Sequence, residues 1–457
     1  MLKKWMISMM LFALCVRAQN VLDQYIQDAL ENNLALQQKE FSLEMSIAAL
    51  KQARGMFLPS LSIEARYTRA GGGRKISIPV GDLMNPVYAT LNQLLSQSGQ
   101  IPLFPENIPN VTEPFLREKE HESKIRLIQP IFQPAILSQY HIKSSLKKID
   151  QAARDIYRRD LVLEVKTAYF NFLETLQIQS LLRETEALLI ENLQVSQSLF
   201  DHDKVTRAVV LRAEAELHAF HQQQAEADKN HHLAKAYFNF LLNRPLDNEI
   251  AVSDFTFNNS FSAQFDSAED RALTQREEIK QLAETVHIME NQVSIAKSAF
   301  LPGISAVIDY GYQGETYRFD KQDEFWMANL VASWNLFNGF QDKYKIDQTR
   351  MQKNAARLKL EEVKQQIRLQ VMETRFNLNT SVRHIETAQA QLKAAKKSYE
   401  LVEVQYREGM IPHIEYIDAR NSLTQAEVNA IVARYEYQIR LAECEKAAAD
   451  YPIQITG

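Results

Sequence analysis

Few side chains in this 457-residue sequence have both the type and the spacing that chemistry requires. His218 and His221, with His231 and His232 a few turns on, carry imidazoles that could ligate a metal. The run around them is rich in Gln and Ala and has no accompanying carboxylate pattern. Ala70–Arg74 (AGGGR) offers glycines to cradle a phosphate, but it lacks the lysine and the following helix of a phosphate loop. Glu415 and Asp418 stand three apart, so on a helix their carboxylates share one face. Nothing here forms a catalytic constellation, and the reading is of a protein that is no enzyme, with no cofactor and no metal. Lys and Arg are balanced by Glu without a basic stripe, and a formal charge of −5 gives no ground for a nucleic-acid partner. The role of the acidic pair therefore rests on the elements that position it.

The first residues, MLKKWMISMMLFALCVRAQN, combine Lys3 and Lys4, an apolar core from Trp5 to Val16, and small residues at Val16 and Ala18. They read as a secretory signal peptide over 1–18, too short for a membrane span. Cys15 lacks the small preceding residue that lipidation needs. After cleavage Cys444 is the sole cysteine, so the fold is held by packing and not by disulfides.

Periodicity is the main signal. Apolar positions fall at helical spacing from about 133 to 200, for example Leu161, Val165, Ala168, Phe172 and Leu176, with no glycine in the run. A helix of about 65 residues is on the order of 100 Å long. The same reading predicts helices near 21–57, 206–243, 267–300, 339–407 and 413–449. Their lengths repeat, and so do residues. YFNFL at Tyr169 resembles RFNLN at Arg375, and LFDHDKVTRAVVLRAEAEL at Leu199 resembles QYREGMIPHIEYIDARNSL at Gln405, both pairs 206 positions apart. LIQPIFQPAIL after Arg126 matches ASWNLFNGFQD after Val331 at an offset of 205. The chain is a tandem duplication, with repeat one over about 19–250 and repeat two over about 267–450, and the natural packing is a double-layered rod of paired helices.

Each repeat also holds a Phe-Leu-Pro. Pro59 and Pro302 end their helices by removing a backbone donor, and strict alternation follows. Leu61, Ile63, Ala65 and Tyr67 alternate with Ser60, Ser62, Glu64 and Arg66; Ile304, Ala306, Ile308 and Tyr310 alternate with small or charged residues. Ile125, Leu127 and Ile131, then Trp326, Leu330 and Trp334, mark the return strands. Four strands are predicted, about 60–69, 123–132, 303–312 and 325–337, each long enough to cross a bilayer when tilted. One face suits lipid, with aromatics near the ends, and the other suits a polar lumen. Leu61, Ile63, Tyr67, Ile125, Leu127, Ile304, Ile308, Tyr310, Trp326, Leu330 and Trp334 are therefore assigned to outer membrane lipid. Four strands cannot close a barrel, and lipid permits no open edge, so the chain must oligomerise; three copies give twelve strands.

The ordered set of duplicated helix, Phe-Leu-Pro, strand, strand and long helix, with YREGMIPHIEYIDARNSL at the second helical turn, resembles the TolC family of outer membrane efflux proteins from about Gln19 to Asp450. The resemblance implies a mainly α protein with membrane β: a trimeric 12-stranded β-barrel continued by a long periplasmic α-helical barrel. It implies the exit duct of a tripartite pump, engaged by a periplasmic adaptor and an inner-membrane transporter. The segments 243–266 and 450–457 would belong to the equatorial region of that fold. Glu415 and Asp418 would narrow the pore at the periplasmic tip and, in three copies, present six carboxylates to cations. Asp203, Val205, Leu211, Gly409, Ile411 and Ile417 would face the adaptor. Three departures stand out: Asp203 where repeat two has Gly409, Val209 where it has Glu415, and Ile411 where relatives often carry a basic residue that latches the closed state.

The segment 70–120, rich in Gly and Pro, makes the first repeat some 38 residues longer than the second here and reads as a long extracellular loop. The same fold also serves type I protein secretion, which the sequence does not separate from small-molecule efflux. A soluble periplasmic coiled-coil adaptor would share the helical hairpins but not the four alternating strands.

Overall fold

The computed structural model of the chain describes residues 21–252 and 267–450. The expected signal peptide over 1–18, residues 253–266 of the expected equatorial segment and the tail after Asp450 lie outside them. In chain order the elements are α1 (Val21–Asn32), α2 (Leu34–Gly55), β1 (Ser60–Arg69), β2 (Lys75–Ile78), α3 (Val80–Gln97), β3 (Val111–Pro114), β4 (Lys119–Phe132), α4 (Pro134–Asp201), α5 (Arg207–Leu241), α6 (Ala268–Gln275), α7 (Glu277–Ser298), β5 (Gly303–Gly314), β6 (Glu324–Ser333), α8 (Gln341–Arg407) and α9 (His413–Ala447). They divide into two compact units. The helical unit takes the described residues of Met1–Leu50, His141–Asn291 and Gln348–Gly457; the strand unit takes Lys51–Tyr140 and Gln292–Asp347.

Among the described residues the helical unit has three buried apolar clusters, two of which hold corresponding positions of the two repeats. Leu161, Val165, Phe172, Phe238 and Leu241 pack with Tyr25 and Ile26 of α1; Ile367, Val371, Leu378, Cys444 and Ala447 pack with Ala268 and Ala272 of α6. Each residue of the first five stands 206 positions before its counterpart in the second. Side chains shrink in the second copy, with Cys444 opposite Phe238 and Ala447 opposite Leu241 in the correspondence. Burial pushes the Cys444 thiol up to about 11, so it serves as a small apolar side chain.

The turns repeat as well. At the end of α4, Asp203 N–H donates to the Phe200 carbonyl (2.9 Å) and Lys204 N–H to Leu199 (2.8 Å); at the end of α8, Gly409 N–H donates to Tyr406 (3.0 Å) and Met410 N–H to Gln405 (2.8 Å). Both are Schellman closures, with Asp203 at φ 57° and Gly409 at φ 71°. Two predicted helices are each broken by one residue, that over 21–57 at Asn33 and that over 267–300 at Arg276, 243 positions apart. Asn33 Oδ1 accepts from the backbone of Ala35 (3.1 Å) and Leu36 (3.0 Å), satisfying donors that a helix start leaves unpaired.

In the strand unit β1, β4, β5 and β6 form one antiparallel sheet in that spatial order, leaving β1 and β6 as its edges. Ser60 at the start of β1 pairs with Ile128, and Ile128 with Val307, four positions beyond Gly303, where β5 begins. Strands tilted to a barrel axis are staggered in this way. Pro59 and Pro302 thus precede strands whose starts are offset along the sheet by about 13 Å, at about 3.3 Å per residue. The register shifts between Pro130 and Phe132, so Phe132, not Ile131, pairs with Ile304.

The 70–120 segment is not an irregular loop. It carries α3 and a small sheet of β2 paired with β3. No helix among the described residues is long and apolar enough to cross a membrane.

Candidate functional site

The register sorts the sheet's side chains onto two faces, because directly opposed residues share a face. On one, Leu61, Leu127 and Ile308 line up, followed by Ile63, Ile125, Tyr310 and Trp326. Tyr67, Ile304 and Leu330 fall on the same face by alternation. Ile63 is 81% exposed and Trp326 76%, so this apolar row has no cover within one copy. Near the hairpin end the row meets His121, which is buried and stacked on Tyr317 at 4.5 Å, with Tyr67 also beside Tyr317.

Trp334 departs from the predicted pattern. β6 ends at Ser333 and not near 337, and the Trp334 indole N–H donates to the Phe300 carbonyl at 3.1 Å. It belongs to the helix-to-strand joint at Pro302, not to the strand.

The opposite face is charged. Arg126 donates to both carboxylate oxygens of Asp309 at 2.8 Å and lies 3.2 Å from Glu64. Lys124 reaches Glu122 at 2.7 Å, and Arg66 lies 3.2 Å from Glu122. A Cβ added at Gly311 would sit 2.2 Å from the Ser123 carbonyl oxygen and 2.7 Å from Cβ of Lys124, so the glycine is what lets Lys124 cross β5 towards Asp309. Glu120, which accepts from Gln313 at 2.8 Å, continues the same face, so Arg66, Lys124 and Arg126 stand among four carboxylates in a polar, largely ion-paired wall.

At the tips, Glu415 and Asp418 are exposed on α9, on the side away from His413, Ile417 and Arg420, which are buried. Ile417, expected as an adaptor contact, is instead helix packing at 6% exposure, while its counterpart Leu211 is 53% exposed. Asp203, Gly409 and Leu211 are exposed; Val205 and Ile411 are half-buried.

Sequence reasoning missed the layer beneath. The side-chain amide of Asn192 on α4 lies 3.1 Å from Nε2 of His413 on α9. Burial, assisted by Arg212, holds the His413 imidazole below its ordinary range, favouring the neutral ring. Tyr406 stacks on Tyr416 at 4.8 Å, and the Tyr399 and Tyr416 hydroxyls meet at 3.2 Å. Burial first, then the hydroxyl contact, raises the Tyr416 phenol, so it stays protonated. The seven-residue spacing of Tyr399 and Tyr406 was the available signal.

Further along, α4, α5 and α9 border an open groove of about 500 Å³ lined by Glu174, Leu182, Glu216, Phe220 and Arg420. Burial, then the charge of Glu436, pushes the Glu174 carboxyl up to about 7. Among the described residues no cluster of His, Cys, Asp or Glu could hold a metal ion. His221 contacts Glu186 at 3.1 Å and His231 contacts Thr175 at 3.3 Å, which gives both side chains local partners.

The model of the outer membrane efflux protein family matches residues 269–449, the second repeat. No curated protein matches the sequence. Solved structures match over nearly the whole chain. The CmeC outer membrane channel of Campylobacter jejuni is 17% identical with a TM-score of 0.75, covering 94% of this chain and 86% of that one. The outer membrane protein VceC of Vibrio cholerae is 13% identical with a TM-score of 0.75, covering 93% and 95%. The open state of the MtrE outer membrane channel of Neisseria gonorrhoeae is 17% identical with a TM-score of 0.71, covering 93% and 88%. At these identities the likeness is one of fold.

Proposed function

We propose, from the premise that residues 269–449 belong to the outer membrane efflux protein family and that the chain takes the fold of such channels, that this protein is a trimeric outer membrane channel, the exit duct of a tripartite efflux pump. The observation that carries the reading is the sheet: one exposed apolar face, one ion-paired face, and two unpaired edges at β1 and β6. Hydrocarbon tolerates the first face and forbids the edges. Joining β1 of each copy to β6 of the next closes twelve strands with the ion pairs around a water-filled lumen.

The helical unit carries matching features. Met351 and Leu358 stand seven apart and exposed on α8, followed by Leu369, Met372 and Phe376. Such a stripe is the seam that neighbouring helices cover in an assembly. Glu415 and Asp418, exposed at the tip, would ring the periplasmic entrance with six carboxylates. The exposed or half-buried tip residues Asp203, Val205, Leu211, Gly409 and Ile411 would receive the periplasmic adaptor. The inner-membrane transporter would supply the energy, since the chain has no nucleotide-binding loop.

Deleting the gene should sensitise cells to small toxic compounds, with full restoration by the intact gene. Unaltered susceptibility, together with loss of a secreted protein from the medium, would replace small-molecule efflux by protein secretion.

A further inference from the structure

The apolar face of the sheet ends, on its hairpin side, in a collar of aromatic rings. Tyr67 lies 6.4 Å from Tyr317 and Phe319 lies 5.8 Å from it, and all three rings are more than half exposed. Two contacts hold the collar in place: His121, fully buried, stacks on Tyr317 at 4.5 Å, and the Ser123 hydroxyl lies 3.3 Å from that of Tyr317. Exposed rings at the end of an apolar face mark the level of lipid headgroups. The strand ends joined to α2 and α4 are periplasmic, so the collar stands at the extracellular end.

Two residues beyond Tyr67 and His121, about 7 Å further along the strands, Arg69 and Lys119 stand directly opposite one another. By alternation they belong to the same lipid-facing side, and both are exposed. Like charges so placed repel. Arg69 lies 3.9 Å from Glu118, with both side chains at least 70% exposed, and the Lys119 ammonium meets no carboxylate among the described residues. A surface ion pair of that kind contributes little. The other face of the same strands behaves differently, since Arg66, Lys124 and Arg126 each have a carboxylate within 3.2 Å. The chain leaving β1 adds Arg74 and Lys75 and has no acidic residue over 69–79. A cationic pair left unmatched just past an aromatic collar, on a face given to lipid, is complementary to an anion that the lipid itself carries.

We propose that Arg69 and Lys119 together bind a phosphate borne by the headgroup of an outer-leaflet lipid. This rests on the outer membrane channel reading above.

Binding of fluorescent bisphosphorylated lipid A to the purified full-length trimer in nonionic detergent tests it. At low salt Arg69→Gln and Lys119→Gln should each weaken binding about fivefold and the double variant about thirtyfold, the effect of one and two cations beside an anionic headgroup. Added salt should weaken binding to the parent protein. Lys321→Gln removes a cation from the β5–β6 connection at the same end and should bind like the parent. Equal affinity of the double variant and the parent, or of phosphorylated and dephosphorylated lipid A, would overturn the proposal. Displacement of the lipid by inorganic pyrophosphate at matched phosphate concentration would make this a site for free phosphate and overturn it as well. Loss of trimer in Arg69→Gln, with lipid A retained by Lys119→Gln, would assign Arg69 to the seam between copies and equally contradict it. A parent protein that forms no unheated trimer would instead be a failure of the channel reading.

Discussion

The guanidinium of Arg126 on β4 binds both carboxylate oxygens of Asp309 on β5, at 2.8 Å each, on the face of the sheet opposite Leu127 and Ile308. Bidentate geometry of this kind needs both strands in register. It also marks which side of the sheet tolerates charge. Ile308→Arg should cost about 2–4 kcal/mol if it lies near the bilayer midplane, and so depress trimer yield. Asn329→Lys, one step away on the charged face, should leave yield unchanged. Quantifying unheated trimer in outer membrane fractions checks both, and equal yields would overturn the assignment of faces.

Glu415 and Asp418 are exposed and free of ion pairs among the described contacts, so their charge should be felt by passing ions. Replacing both by Ala should lower cation selectivity and raise single-channel conductance in planar bilayers. Unchanged reversal potential and conductance would remove them from the pore.

The paired turns at Asp203 and Gly409 make a stability test. Both residues have positive φ, a conformation that costs an L-residue about 1–2 kcal/mol. Gly409→Ala should therefore destabilise the tip and Asp203→Gly should stabilise it, each by about 1 kcal/mol. Hydrogen exchange of the tip amides reads the change, and shifts of the same sign for both would refute the shared turn.

Glu174 should make stability depend on pH. Folded, it keeps its proton up to about 7, whereas the unfolded chain releases it near the ordinary 4.5. The folded state binds more protons across that interval, so its stability falls as pH rises from 4.5 to 7. Glu174→Gln should match the parent protein at pH 4 and exceed it at pH 8 in urea unfolding followed by helical signal. A parallel offset at both pH values would show that burial of Glu174 plays no part.

Much of this was legible in the sequence for physical reasons. Alternation starting at Leu61 is the signal of a strand about 60–69, because one face must be apolar, and β1 runs Ser60–Arg69. The duplication was legible because two copies keep the same buried positions, from Leu161 with Ile367 to Phe172 with Leu378. The breaks at Asn33 and Arg276 were not, since apolar periodicity runs straight through them. α3 was hidden by Pro86 and by the flanking glycines, although its asparagines hold it by contacts 12 and 23 residues away. The layer of His413 with Asn192 depends on residues 221 apart, which no local pattern records. Ile417 is a candidate adaptor contact by its place near the tip, with helix packing as the alternative, and α9 turns its 413, 417 and 420 side inward.

Electrophoresis of the outer membrane fraction, with and without heating in detergent, bears most directly on the trimeric channel. The unheated protein should remain in membranes through a salt wash and migrate near three times the mass of the single chain, whose full sequence amounts to 52.6 kDa, collapsing to one chain on boiling. A protein released by salt and migrating as a single chain under both conditions would contradict it.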